Sequence, residues 1–277
     1  MADTDLYDRH PINAEQILET IAAEGKSADG LSPADLRPHD QDHYGGVQAV
    51  KDLAEAAGVG PGDVVADICA GMAGPARLIA ECYDAGLVIG LDYNWGRCKG
   101  GAQLNRLVGL GGRVRMVRCD AQYLPLAENV LDAAVSQEAL LHIPDKSRVL
   151  TGVLHGLKPG ARFAFTDLVA LDGLTDGDRR RLAENGMQMV NLPDPVAYRA
   201  MAQSSGFHIA AEHDLSVQWR DILIGRMEMY RQMEQATERV HGAEAHRQYM
   251  DAYGHFVGLV RQGALGGLRM VLEKPGN

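Results

Sequence analysis

The residues with the clearest chemical potential lie between positions 64 and 92. An apolar run containing Asp67 enters the small-residue turn Cys69-Ala70-Gly71-Met72-Ala73-Gly74-Pro75, and a helical stretch follows, from Ala76 to Tyr83. A second apolar run, Leu87-Val88-Ile89-Gly90-Leu91, ends in Asp92. Glycine lets the backbone pass close under a ligand, and the helix start beyond it offers unpaired N–H groups. An acid about 20 residues past such a turn can accept both hydroxyls of a ribose. The segment therefore has the form of a nucleoside-binding βαβ unit. A dinucleotide site would place glycine where Cys69 stands, so the spacing here is instead Asp67-x-x-x-Gly71-x-x-Gly74.

Positioning these groups requires a sheet whose strands end together. Strands are predicted at 64–69, 87–92, 114–119, 131–136, 162–168, 207–215 and 268–273, with helices at 75–84, 94–108 and 144–157 between them. Lys158-Pro159-Gly160 reads as the stop of the last of these helices. Such alternation predicts an α/β fold, a doubly wound, mostly parallel seven-stranded sheet of Rossmann-like type. Ahead of it, Asn13 caps a helix over 13–24, and Ser32-Pro33 opens a short turn of helix. A polar loop, 40–46, then feeds a helix over 47–57. Residues 1–60 read as a helical cap and 61–277 as the main domain. Two intervals, 170–206 and 216–262, are too long for simple connections and read as insertions forming a lid over the substrate. The methionines of the second, Met227, Met229, Met233 and Met250, read most simply as core packing.

Composition narrows the classes. Lys and Arg total 27 against 37 Asp and Glu, a net charge of −10 with no basic tract, which argues against nucleic acid and anionic membranes as partners. The start is too charged for a signal peptide and no run approaches a membrane span, so a soluble cytoplasmic protein is expected. Cys69, Cys82, Cys98 and Cys119 lack metal-site spacing and are expected as reduced, mostly buried thiols. No metal is expected: His241 and His246 are badly spaced for a shared ion, and Asp40, Asp42 and His43 are weak candidates in a loop. Nothing in the sequence fixes an oligomeric state, and a homodimer is allowed.

Four segments in one order carry a family resemblance: the loop ending Tyr44-Gly45-Gly46, the turn around Gly71, Ser136-Gln137-Glu138-Ala139-Leu140-Leu141-His142, and Leu157-Lys158-Pro159-Gly160 leading to Phe165-Thr166-Asp167. Together they resemble class I S-adenosylmethionine-dependent methyltransferases, in particular the small-molecule N-methyltransferases of sarcosine, dimethylglycine and phosphoethanolamine. The resemblance implies S-adenosyl-L-methionine as cofactor and a small-molecule acceptor. It places Asp67, Ala70 and Gly71 in the motif that passes under the methionine portion, Asp92 on the ribose and Tyr93 on the adenine. Asp120 and Ala121 would meet the adenine amino group, Gln137 would face the amino-acid end, and Tyr44 matches a cofactor-contacting loop position. Arg97 could reach the cofactor carboxylate or point to solvent. Asp92 could alternatively cap the helix near Trp95, and Asp120 could be a turn former.

The resemblance also marks His142, in the loop after the fourth strand, as a group beside the reacting amine. A free amine of pKa about 10 is mostly protonated at pH 7, and histidine is a natural local proton acceptor. The alternative is a histidine bonded to a backbone carbonyl that merely shapes the loop. Glu138 could hydrogen-bond a substrate cation or be a solvated acid, and Tyr7 is a candidate N-terminal lid tyrosine. An aromatic usual after the Asp167 position in phosphoethanolamine enzymes is Leu168 here, and no basic cluster for a phosphate is evident. The acceptor wall is expected from Met187 to Pro193 and from Trp219 to His255, with Arg220 and Arg226 as carboxylate partners. Methylation at an amine is the leading expectation. O- or C-methylation of a natural-product scaffold, an idle cofactor-binding protein and an NAD-dependent dehydrogenase are the rivals.

Overall fold

Seven strands form one sheet in the order β3-β2-β1-β4-β5-β7-β6 in the computed structural model, which describes residues 13–41, 43–184, 187–232 and 242–276. In chain order they are β1 (Val64–Ile68), β2 (Leu87–Asp92), β3 (Val114–Arg118), β4 (Leu131–Gln137), β5 (Leu157–Ala170), β6 (His208–Asp214) and β7 (Leu265–Glu273). All neighbours pair in parallel except β7, which runs antiparallel to both β5 and β6. The chain moves from β1 outward to β3, then returns to place β4 on the other side of β1. A crevice opens at the carboxyl ends of strands where the order reverses in this way.

The helices are α1 (Ala14–Ala23), α2 (Pro33–Leu36), α3 (Gly46–Ala57), α4 (Gly74–Cys82), α5 (Trp95–Leu107), α6 (Lys146–Gly156), α7 (Asp176–Glu184), α8 (Pro195–Ser204), α9 (Ser216–Gln232) and α10 (Ala243–Gln262). Their starts follow the capping residues. The Asn13 side chain accepts from Gln16 N–H, Asn94 from Arg97, Asp145 from Arg148 and Asp194 from Ala197. Ser32 and Asp35 close a capping box on α2.

β5 starts earlier than the sequence predicts. Leu157 already pairs with Leu131, and the register then jumps before Ala133 meets Arg162. Lys158-Pro159-Gly160 is thus an irregularity inside the strand, with Gly160 at φ +79° and its N–H on the Lys274 carbonyl.

The N-terminal segment packs directly on the sheet domain. Val50, Leu53 and Ala54 of α3 share one apolar cluster with Val65, Ile79 and Ala133. Asp40 forms a buried ion pair with Arg77 of α4, at 2.8 Å from Nη2, and Arg77 Nη1 also donates to Asn105 of α5 at 2.7 Å. A side chain at Gly74 would collide with the Asp40 carbonyl, so this glycine seats the N-terminal segment on the start of α4.

The insertion at 170–206 supplies α7 and α8, and that at 216–262 supplies α9 and α10, which pack on one another. Trp219 of α9 lies flat on the backbone of β7, where a side chain at Gly267 would overlap its indole ring. Met227 packs against the apolar cluster of these helices, Met250 is half-buried and Met229 is exposed, so the methionines do not form one core stripe. Met233, His241, Asp42 and Tyr7 lie outside the described residues. No helix among the described residues is long and apolar enough to cross a membrane.

Candidate active site

The crevice at the carboxyl ends of β1, β2 and β4 encloses about 270 Å³. Its floor is the turn after β1, where Cys69, Gly71 and Ala73 take left-handed φ values of 61°, 55° and 61°. Two non-glycine residues in that region make the turn a strained one, and the surrounding packing holds it. Its hydrogen bonds run to β2: Ala70 N–H donates to the Leu91 carbonyl at 3.0 Å, and Gly71 N–H to Asp92 Oδ2 at 2.8 Å. A Cβ built on Gly71 would stand 3.1 Å from Arg97 Nη1.

Asp92 also accepts from Asn94 N–H at 2.8 Å through Oδ1. It therefore does not cap α5; Asn94 does. Each Asp92 oxygen retains a second lone pair for a hydroxyl donor. Burial raises its pKa against the opposing N–H groups of Asn94 and Gly71. Asp67 is 3 % exposed, its Oδ2 is buried and has no hydrogen-bond partner, and burial followed by repulsion from Asp92 raises it to about 7. Arg97, which a first-turn helix position could have left in solvent, is buried to 7 % exposure on the crevice wall.

Tyr93, Asp120 and Ala121 stand together at the ends of β2 and β3. Asp120 accepts from Gln122 N–H at 2.9 Å and caps the 3-10 turn Ala121–Tyr123, so it forms the turn and lines the crevice at once. Cys69 and Cys119 line the same region, and burial pushes Cys119 up to about 11, which keeps it a thiol. Cys82, expected among mostly buried thiols, is exposed.

The opposite end is built from β4 and the turn beyond it. Gln137 Nε2 lies 3.2 Å from His43 Nδ1. Glu138, at φ +44°, accepts from Tyr44 N–H at 2.8 Å and from the Thr166 hydroxyl at 2.7 Å. Burial pushes it up to about 7 against those two donors. Its oxygens thus tie the loop before α3 to β5. Tyr44 itself does not line the crevice. Its ring packs edge-on against Trp219 at 5.0 Å and under the Arg226 guanidinium at 4.9 Å, because the apolar face of α9 offers it burial.

His142 ends the 3-10 turn Leu140–His142, and its Nδ1 lies 2.9 Å from the Gln188 carbonyl. A carbonyl only accepts, so Nδ1 carries the proton and the lone pair sits on Nε2. Burial lowers the His142 pKa below 6.5, against the pull of that carbonyl, and the ring is neutral at pH 7. His142 thus bonds a backbone carbonyl and also lines the crevice.

Gln188 also lines the crevice, within the stretch 187–193 expected as acceptor wall, as do Asp40 and His43, which the sequence marks only as weak metal candidates. The one signal of the latter two is the polar loop 40–46. Asp40 is committed to Arg77, and His43 Nε2 lies 2.8 Å from Gln41 Oε1. Among the described residues no group of three or more His, Cys, Asp or Glu could hold a metal ion. Arg220 pairs with Asp221, and Arg226 Nη2 donates to the His43 carbonyl at 2.5 Å.

The strand order, the antiparallel β7 and this crevice define the class I methyltransferase fold. Residues 66–165 match the family described as "Methyltransferase domain". It is 29 % identical over 241 residues to the dimethylglycine N-methyltransferase of Parasynechococcus marenigrum, covering 83 % of this chain and 81 % of that protein. It is 30 % identical over 169 residues to the cycloartenol-C-24-methyltransferase 1 of Oryza sativa subsp. japonica, covering 59 % of this chain and 49 % of the relative. This chain thus spans about half the length of the latter. Among solved structures, a putative sarcosine dimethylglycine methyltransferase from Galdieria sulphuraria superposes with a TM-score of 0.77 at 18 % identity, covering 95 % of this chain and 99 % of the other.

Proposed function

We propose that the protein is an S-adenosylmethionine-dependent methyltransferase acting on a small molecule, at an amine nitrogen. One observation carries the reading: a single crevice has a buried acid at the end of β2 and a neutral imidazole after β4. The residues present fit the cofactor. Asp92 and Asp67 are acceptors held by burial, Gly71 leaves the floor open, and the unpartnered oxygen of Asp67 suits an ammonium group. Asp92 would hold the ribose, Tyr93 the adenine face, and Asp120 with the Ala121 N–H its amino edge. Arg97 would pair with the cofactor carboxylate. Bound there, the cofactor supplies an electrophilic methyl group and its own leaving group.

The protein's part is alignment and proton transfer. His142 Nε2 would take the proton of the acceptor ammonium, which needs the neutral ring that burial secures. Gln137 and His43 would border the methionine end. Glu138 would act on the acceptor side chiefly by holding Tyr44 and Thr166 in place. The 29 % identity to an N-methyltransferase over 241 residues supports nitrogen as the acceptor atom. A second reading, methylation at carbon, draws support from the cycloartenol-C-24-methyltransferase relative.

The test is a panel of amines, hydroxyl analogues and isoprenoid alkenes incubated with methyl-labelled cofactor and read by mass spectrometry. Label on an amine nitrogen is the expected result. Cofactor binding with no label transferred to any acceptor would remove the proposal.

A further inference from the structure

Beneath the His142 turn lies a polar cluster with no part in the proposed transfer. Asp167 of β5, Lys146 of α6 and Tyr198 of α8 are all buried to 1 % exposure or less. Asp167 Oδ2 stands 3.3 Å from Lys146 Nζ and accepts from the Tyr198 hydroxyl at 2.7 Å. A buried ion pair is a poor device for stability, since apolar residues of like volume usually serve as well or better. What the cluster does instead is hold backbone. Asp167 Oδ1 accepts from the Leu141 N–H at 3.0 Å, and Lys146 Nζ donates to the Leu140 carbonyl. The single peptide unit joining Leu140 to Leu141, just ahead of His142, is thereby fixed at its N–H and its C=O by side chains from two elements, with Tyr198 of a third bracing Asp167.

The same cluster reaches the insertion at 170–206. Tyr198 lies within it, as does Gln188, whose carbonyl holds His142 Nδ1. Asn191 of the insertion adds its N–H on the Leu141 carbonyl at 3.1 Å and its Nδ2 on the Pro144 carbonyl at 2.8 Å. The insertion and the turn are stitched together on both sides of the imidazole.

We infer that Lys146, Asp167 and Tyr198 are positioning residues that aim the His142 ring into the crevice and couple that aim to the insertion at the acceptor end. The inference rests on the proposed role of the crevice. It predicts that the imidazole loses its fixed orientation when the cluster is made apolar, even though the cofactor end, built from β1 and β2, is untouched.

The experiment uses the full chain labelled with ¹⁵N-histidine and saturated with S-adenosylhomocysteine, with the His142 ring signals assigned by their loss in His142→Ala. Wild type should show a single tautomer protonated at Nδ1. In the triple variant Lys146→Met/Asp167→Leu/Tyr198→Phe that tautomer should give way to exchange-averaged signals, with cofactor affinity within about twofold. One positive and one negative charge leave together, so the net charge facing His142 from Asp167, Lys146 and Arg97 is unaltered. Turnover of the acceptor found in the labelling panel should fall at least tenfold through kcat with little change in KM, and no further when His142→Ala is already present.

If the triple variant fails to fold, Tyr198→Phe, which removes one hydroxyl and no charge, should still lower kcat about threefold and broaden the ring signals. An unchanged tautomer in a folded variant overturns the inference, as does a loss of turnover that adds fully to that of His142→Ala. Failure of wild type to methylate any acceptor would instead sink the methyltransferase reading, while the ring signals still decide the positioning role.

Discussion

On the proposed reading, individual side chains in the crevice separate into groups that hold the nucleoside and groups that face the acceptor, and substitution should separate them too. Replacing His142 by Ala should lower turnover by about 100-fold while cofactor affinity, read by calorimetry, stays within about twofold. Asp92→Ala should do the reverse, weakening cofactor binding before it touches the chemical step. Asp67 gives a stability signature. Its pKa rises from 3.8 to about 7 on folding, so the native chain binds more protons than the unfolded chain across that window. Stability from this group is present below pH 3.8 and is lost as pH climbs through about 7. Asp67→Asn, which cannot ionise, should therefore gain on the wild type from pH 4 to 7, by up to about 1.4 kcal/mol per pH unit in denaturant unfolding of the free protein. The carboxylates at strand ends were legible from spacing alone, because strand geometry fixes where an end residue sits. The partners of Glu138 were not: Tyr44 lies 94 residues away and Thr166 lies 28, and local pattern does not encode contacts of that kind.

Strands and helices were legible wherever one period dominated, and six of the seven strands begin within three residues of their expected starts. β5 is the exception, since Lys158-Pro159-Gly160 reads locally as a break and only its pairing with β4 and Lys274 makes it part of a strand. Gly74 lines the crevice, and the spacing does not reveal its second role, the seat of the N-terminal segment. The Asp40 carbonyl occupies the space its side chain would need. Gly74→Ala should destabilise the fold by about 1–3 kcal/mol in chemical denaturation, through displacement of the 40–46 loop from α4. Arg77→Met should cost about 3–5 kcal/mol, because it leaves Asp40 charged, buried and unpaired. Both variants should also expose the segment ahead of α3 to limited proteolysis, and a wild-type cleavage pattern would count against this docking role.

At the level of the whole molecule, the folded sheet presents an open crevice that a nucleoside ligand would bridge from β1 to β4, so binding and stability are linked. S-adenosylhomocysteine at about one hundred times its Kd should add about 2.7 kcal/mol and raise Tm by roughly 5–10 °C, whereas NAD should leave it unmoved. An equal rise with both would argue against the assigned nucleoside. The sheet and its crevice were readable from the chain, but the acceptor wall expected from Trp219 to His255 was not: among the described residues none from that stretch lines the crevice, and nothing in the sequence marks Gly267 as the seat of Trp219. That seat has a wider consequence. Trp219 supports Tyr44, and Tyr44 in turn holds Glu138 at the acceptor end, so the flank of the chamber is borrowed from the sheet's penultimate strand. One methyl group added at Gly267 would lever the helix outward and widen the chamber, leaving the nucleoside's berth undisturbed. On the proposed reading, acceptor choice would thus be retuned from the far margin of the sheet, by residues that do not line the crevice.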